Sequence, residues 1–175
     1  MSILRTNQIT NTAGTGSPSF PNGIAGSVLQ VKNFQTGAMN TGTTTIPIDD
    51  TIPQNTEGTE FMTLSITPKS SLNTLQITHV GSYECGTADR NLSCALFQDD
   101  ITNALAAISP YRNVSRDREI ITLTHTMVAG TTNEITFKIR VGANASSTIT
   151  FNGSGGARYF GGVSASSITI MEIGG

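Results

Sequence analysis

The chain has 175 residues, enough for one core and too few for two full-sized domains. Hydrophobic residues make up 37% and charged residues only 13%, about half the roughly 25% usual in globular proteins, and Thr, Ser and Asn supply about a third of the chain. A net charge of −2 without clustered Lys or Arg gives no footprint for a phosphate backbone, and no apolar run nears the ~20 residues that span a bilayer, so neither a nucleic-acid nor a membrane partner is expected.

Thr is β-branched and suits a pleated surface, whereas Lys and Glu, which build exposed helix faces, are scarce; the composition points to an all-β protein. The opening MSILRTNQITNTAG lacks the apolar region of a secretory signal, so the product is expected to be soluble and to fold where it is made. Residues 1–26 hold few large apolar side chains, with a turn signal at Phe20-Pro21-Asn22-Gly23, and read as an N-terminal arm that orders against a partner.

A folded domain over 27–175 starts at SVLQVKNFQ, where Val28, Gln30 and Lys32 are expected opposite Leu29 and Val31. Pro47 and Pro53 mark the next stretch as a surface excursion, and EFMTLSITP reads as a strand carrying Phe61, Leu64 and Ile66. TLQITHVGSYEC alternates Leu75, Ile77 and His79 against Thr74, Gln76 and Thr78. LSCALFQDD is a further strand, and ITNALAAIS predicts either a short helix capped by Asp99 or Asp100, with Ile101, Leu105 and Ile108 on one face, or an irregular loop. REIITLTHTMVAG and NEITFKIRVG alternate most clearly, and STITFNG, ARYFGG and SITIMEI follow between glycine turns. Eight to ten strands at this spacing predict an antiparallel β-sandwich, a jelly roll.

No catalytic, cofactor or metal constellation emerges. His79 and His125 sit in similar strand contexts and meet if their strands are neighbours, but no third ligand is spaced for a metal. Asp49-Asp50 and Asp99-Asp100 lack the pattern of a calcium loop and read as turns and caps. Cys85 and Cys94 allow a hairpin disulfide or two reduced thiols. Arg112, Arg116 and Arg118, interleaved with Asp117 and Glu119, form a mixed-sign face suited to salt bridges or protein contact.

The succession MSILRTNQITNTAG, PSFPNGI, GSVLQV, LSITPKSSLNTLQI, TNEITFKIRV and SSITIMEI resembles a recurrent group of tailed-bacteriophage virion proteins. The resemblance implies a trimeric jelly roll similar to tumour-necrosis-factor and complement globular-head domains, mounted on a capsid as a decoration or cement protein or on a tail as a fibre component. It implies a virion location, after assembly in the host cytoplasm, and the major capsid protein as partner. Attachment would then fall to the arm residues Ile3, Leu4, Arg5, Ile9, Phe20 and Ile24. The alternative is a tail-fibre or spike tip that binds a host-surface receptor or glycan through its distal loops. Residues 83–112, YECGTADRNLSCALFQDDITNALAAISPYR, depart from the pattern and read as an insertion.

SITIMEI places Ile168, Ile170 and Glu172 on one face and Thr169, Met171 and Ile173 on the other. Apolar residues on both faces predict a core on one side and a neighbouring subunit on the other. Ile168, Ile170, Met171 and Glu172, with Tyr159 and Phe160, are therefore expected at a homotrimer interface, with Glu172 pairing with Arg140 or Arg158.

Overall fold

A computed structural model describes residues 25–175. In chain order the strands are β1 (Val28–Thr36), β2 (Asn40–Gly42), β3 (Thr59–Ile66), β4 (Thr74–Cys85), β5 (Arg90–Gln98), β6 (Ala106–Ile108), β7 (Tyr111–Arg112), β8 (Asp117–Val128), β9 (Ile135–Ala143), β10 (Ile149–Phe151), β11 (Gly153–Ser154), β12 (Ala157–Arg158) and β13 (Ser166–Ile173). The sequence alternation sets the sides: Leu75, Ile77, Ile121, Leu123, Ile168 and Ile170 face inward, and the intervening Thr residues face out.

The long strands pair as one antiparallel ribbon folded back on itself: β1 with β13, β3 with β9, β4 with β8, and β5 with β6. Two further pairings, β13 with β4 and β5 with β9, roll this ribbon into sheets of order β1-β13-β4-β8 and β3-β9-β5-β6. That order, with connections crossing from sheet to sheet, is the jelly roll. Between the sheets lies one core, in which Phe137, Ile139, Leu92, Leu96 and Met62 meet Leu75, Ile77, Tyr83, Ile168 and Ile170. Each such side chain, fully buried, contributes about 1.5–3 kcal/mol.

Strand β4 changes partner along one edge, from β13 at Val80 to β10 at Tyr83, and β2 extends the sheet beyond β10. The change would strand backbone donors inside the protein. A buried polar chain takes them up: Ser82 N–H donates to Ser166 Oγ (3.0 Å), Ser166 Oγ donates to Asn152 Oδ1 (2.6 Å), and Asn152 Nδ2 donates to Thr36 O (2.8 Å) and Ala38 O (3.1 Å).

The two outer faces are treated differently. Residues 43–58 cross the outer face of the second sheet, packing Ile46 on Ala95 and Phe97 in a small second core. Arg140 fastens this cover, with Nε donating to Glu57 O (2.8 Å) and Nη2 to Gly58 O (2.8 Å). A Cβ on Gly142 would lie 2.5 Å from Thr44 O, so only glycine admits the cover that closely. Among the described residues, no comparable segment packs on the outer face of the first sheet between Val28 and Thr122.

Three sequence expectations are corrected. Residues 101–109 form no helix: Ala106–Ile108 pairs with Cys94–Leu96 as β6, and Asp99 is held at φ 49° with Oδ1 accepting Thr136 N–H (2.8 Å) instead of capping a helix. Residues 83–112 are no insertion, since they contain β5, which pairs with β9 on one side and with β6 and β7 on the other. A bulge between Val28 and Gln30 resets the alternation of β1, so that Val28 and Val31 stand on the same face, opposite Ile173 and Met171.

On β4, His79, Gly81 and Tyr83 share the inward face, and a Cβ on Gly81 would lie 2.5 Å from both His79 Nε2 and Tyr83 Cε2. Gly81→Ala is therefore expected to lose about 1–3 kcal/mol through overpacking, measured as a lowered urea midpoint. An unchanged midpoint would contradict this packing of the two rings across the glycine.

Candidate functional site

The expected interface residues separate onto different surfaces. Ile168 and Ile170 are fully buried in the core of their own subunit, which removes them from any contact between folded copies. Glu172 is also buried, at 0% exposure, and pairs with neither Arg140, which is engaged on the other sheet, nor Arg158. Its carboxylate accepts from Gln30 Nε2 (2.5 Å), Asn73 Nδ2 (2.6 Å), Lys69 N–H (2.7 Å) and Ser70 N–H (3.4 Å). Burial alone would raise its pKa, but the donors, Asn73 and Gln30 foremost, prevail and hold it below the usual value of 4.5. This carboxylate ties β13 to β1 and to the β3–β4 connection; sequence pattern missed it because the donors lie about a hundred residues away.

Met171 points the other way, onto the outer face of the first sheet. The register lines up Val28, Ile173, Thr74 and Val128, then Val31, Met171, Gln76 and Thr126, then Asn33, Thr169, Thr78 and Thr124, then Gln35, Ser167, Val80 and Thr122. None of these positions is charged, whereas about a quarter or more of an ordinary surface is. Val28, Val31, Val80 and Val128 are exposed on it, and Asn33 Nδ2 donates to Thr169 Oγ1 (2.7 Å) across it. These rows are uncharged, with six apolar positions among sixteen, which suits contact with protein.

Tyr159 and Phe160 lie elsewhere, in the loop before β13, with Phe160 74% exposed and at φ 48°. The Arg118 guanidinium sits 4.5 Å over the Tyr159 ring. The arm residues Ile3, Leu4, Arg5, Ile9, Phe20 and Ile24 fall outside the described residues.

His79 and His125 are on neighbouring strands but do not face each other: His79 is opposite Leu123, and His125 opposite Ile77. His79 Nδ1 donates to Ser167 O (3.0 Å), which fixes the tautomer, so the Tyr83 hydroxyl donates to Nε2 (3.0 Å). Burial pushes the His79 imidazole down from 6.5 to about 4, against the bond to Ser167, which raises it. Cys85 and Cys94 are both buried free thiols, and burial pushes Cys94 up to about 12. Asp49 accepts from Thr51 within a turn, and Asp99 receives Thr136 N–H. Arg112 pairs with Asp117 and Glu119, as the mixed-sign face suggests. Among the described residues no three His, Cys, Asp or Glu side chains converge as metal ligands, and no helix is long and apolar enough to cross a membrane.

No protein-family model matches the chain, and no curated protein does. Among solved structures it is similar to the EclA C-terminal domain, a sugar-binding protein, at 13% identity and TM-score 0.35 over 86% of this chain and 98% of that one. It is similar to the structure of infectious bursal disease virus Gt strain at 12% identity and TM-score 0.40, over 85% of this chain and 39% of that chain. The enzymatically active domain of bacteriophage CBA120 tailspike protein 4 is similar at 17% identity and TM-score 0.29, over 78% and 21%. At such identities and scores these likenesses assign no function to the chain.

His79 sets a pH dependence. Its folded value lies below its unfolded one, so the unfolded chain binds the extra proton, and stability is complete above 6.5 and falls as pH drops toward about 4. The loss amounts to about 3 kcal/mol over that window. Glu172, also lowered, acts in the same direction but below its ordinary 4.5. Urea melts across this range are expected to slope steeply for the natural chain and less for His79→Gln; equal slopes would contradict the buried neutral imidazole.

Proposed function

We propose that the chain is a non-enzymatic structural protein of a virion, a homotrimeric decoration or cement protein that attaches to the major capsid protein through its N-terminal residues. The observation that supports it is the polarity of the sandwich. Gly26 N–H donates to Gly174 O (2.8 Å) and Gly174 N–H to Ser27 O (2.9 Å), so the chain enters the fold beside its own C-terminus. From that end β4 runs twelve residues, about 40 Å at roughly 3.3 Å each. The chain therefore joins the domain at one end, a β4 length away from the loops at the other.

The uncharged part of the first sheet's outer face, the rows from Val28 to Thr122, is the surface on which copies would meet. Copies brought together there carry no like charges to oppose one another, and a cyclic assembly gives several weak N-terminal contacts a high effective concentration on a capsid. The interface thus moves from the buried Ile168, Ile170 and Glu172 to Met171, Ile173, Val31 and Val128.

A second reading, a tail-fibre or spike tip that binds a host surface, fits the same polarity, since the free end would face the host. The two differ in what the purified protein binds. A chain lacking residues 2–24 is expected to remain a folded trimer and to lose attachment to stripped capsids; retained attachment would sink the decoration reading, and binding of the intact chain to cells without capsid would favour the second.

Met171→Asp is expected to give folded monomers by light scattering, with the circular dichroism of the natural chain. Ile170→Asp, in the core, is expected to abolish folding, since an unpaired buried carboxylate costs several kcal/mol. A trimeric Met171→Asp would place the interface elsewhere.

A further inference from the structure

At the end of the sandwich remote from Gly26, the sheet register forms a polar row: Thr41, Thr150, Glu84 and Arg118, side by side on the outer face. The β11–β12 hairpin folds over this row. Its turn residues Gly155 and Gly156 have φ 58° and 76°, the two positive values that a tight two-residue hairpin requires. Gly155 N–H is thereby delivered to Glu84 Oε2. Between hairpin and row lies a cleft of about 380 Å³, within the roughly 300–1,000 Å³ of small-molecule sites.

Glu84 is 1% exposed, with Oε2 accepting Gly155 N–H; among the described residues its other oxygen accepts no hydrogen bond and is not one of the fully buried unpartnered atoms, so it reaches the cleft. An oxygen so placed accepts from whatever donor occupies the cleft. Around it the cleft offers the hydroxyls of Thr41, Thr87, Thr148 and Thr150, backbone at three glycines, and the Arg116 guanidinium, with no apolar side chain beyond the threonine methyls. Arg116 is itself held at φ 59°, a left-handed conformation that costs energy outside glycine and that places it beside Gly155.

The chemistry narrows the ligand. An apolar molecule finds no lining, an anion meets the buried carboxylate, and a divalent cation needs several more oxygen charges than one Glu, beside which Arg116 already stands. A neutral polyol supplies what the cleft lacks: adjacent hydroxyls donate to the unfilled oxygen of Glu84 and exchange hydrogen bonds with the threonines, while Arg116 donates to a hydroxyl or ring oxygen. The geometry points to a carbohydrate subsite, in which Glu84 is the central acceptor for a neutral hexose unit of a surface glycan. The subsite deepens the host-binding reading and rests on no capsid contact.

The test is an amide NMR titration of the intact chain with the methyl glycosides of glucose, galactose, mannose and N-acetylglucosamine at millimolar concentrations. At least one is expected to shift the Gly155 and Thr150 amides, unaffected by EDTA. Glu84→Gln and, independently, the exposed-site change Thr148→Val are expected to weaken that binding, the former about tenfold, with the unfolding midpoint unchanged for Thr148→Val. The same shifts are expected in the chain lacking residues 2–24, which separates this site from attachment. No shift with any of the four sugars, shifts that vanish with EDTA, or equal affinity in both variants would overturn it.

Discussion

The last strand lies between the first and the third long strand of its sheet, and the fold depends on that placement. β13 is hydrogen-bonded to β1 on one edge and to β4 on the other, so neither sheet order nor core is complete until the C-terminal residues are in place. Its inner row supplies Ile168 and Ile170 to the core, and the same row ends in Glu172. A buried carboxylate with no cation is tolerable only when its oxygens are filled by fixed donors. Here those donors come from β1 and from the turn before β4, so one ionised group aligns three segments far apart in sequence. Such pairing of chain ends is non-local and implies slow folding for a domain of this size.

From this arrangement the functional surfaces follow. With β1 and β13 joined, Gly26 and Gly174 sit at one end of the sandwich, and the loops around β10, β11 and β12 gather at the other. The second sheet is closed over by residues 43–58, while the first has four uncharged rows on its outer face, from Val28 to Thr122, and the Glu84–Arg118 row beyond them. The proposed attachment end, association rows and polar cleft thus fall on different parts of the domain.

The strands whose alternation is regular, β4, β8, β9 and β13, were legible in the sequence, because each buries one side of a pleat and exposes the other. β6 was not, because Ile101, Leu105 and Ile108 have helical spacing, and only the free edge of β5 makes Ala106–Ile108 extended. The bulge between Val28 and Gln30 leaves no pattern of its own, and it puts Val28 on the side of Val31. Residues 83–112 look foreign as sequence yet contribute the central β5, since strands buried on both faces lose their alternation. The face assignment of Met171 was readable from the period of two; the burial of Glu172 and the cleft at Glu84 were not, because each is assembled from segments that only the register brings together.

The central claim, that the C-terminal strand is the keystone of the sandwich, is tested most directly by native-state hydrogen exchange resolved to single amides. The amides of Ile168–Glu172 that donate into the β1 and β4 ladders are expected to exchange only with global unfolding, while those of the short β12 exchange by local fraying. Exchange in β13 as fast as in β12 would contradict the account.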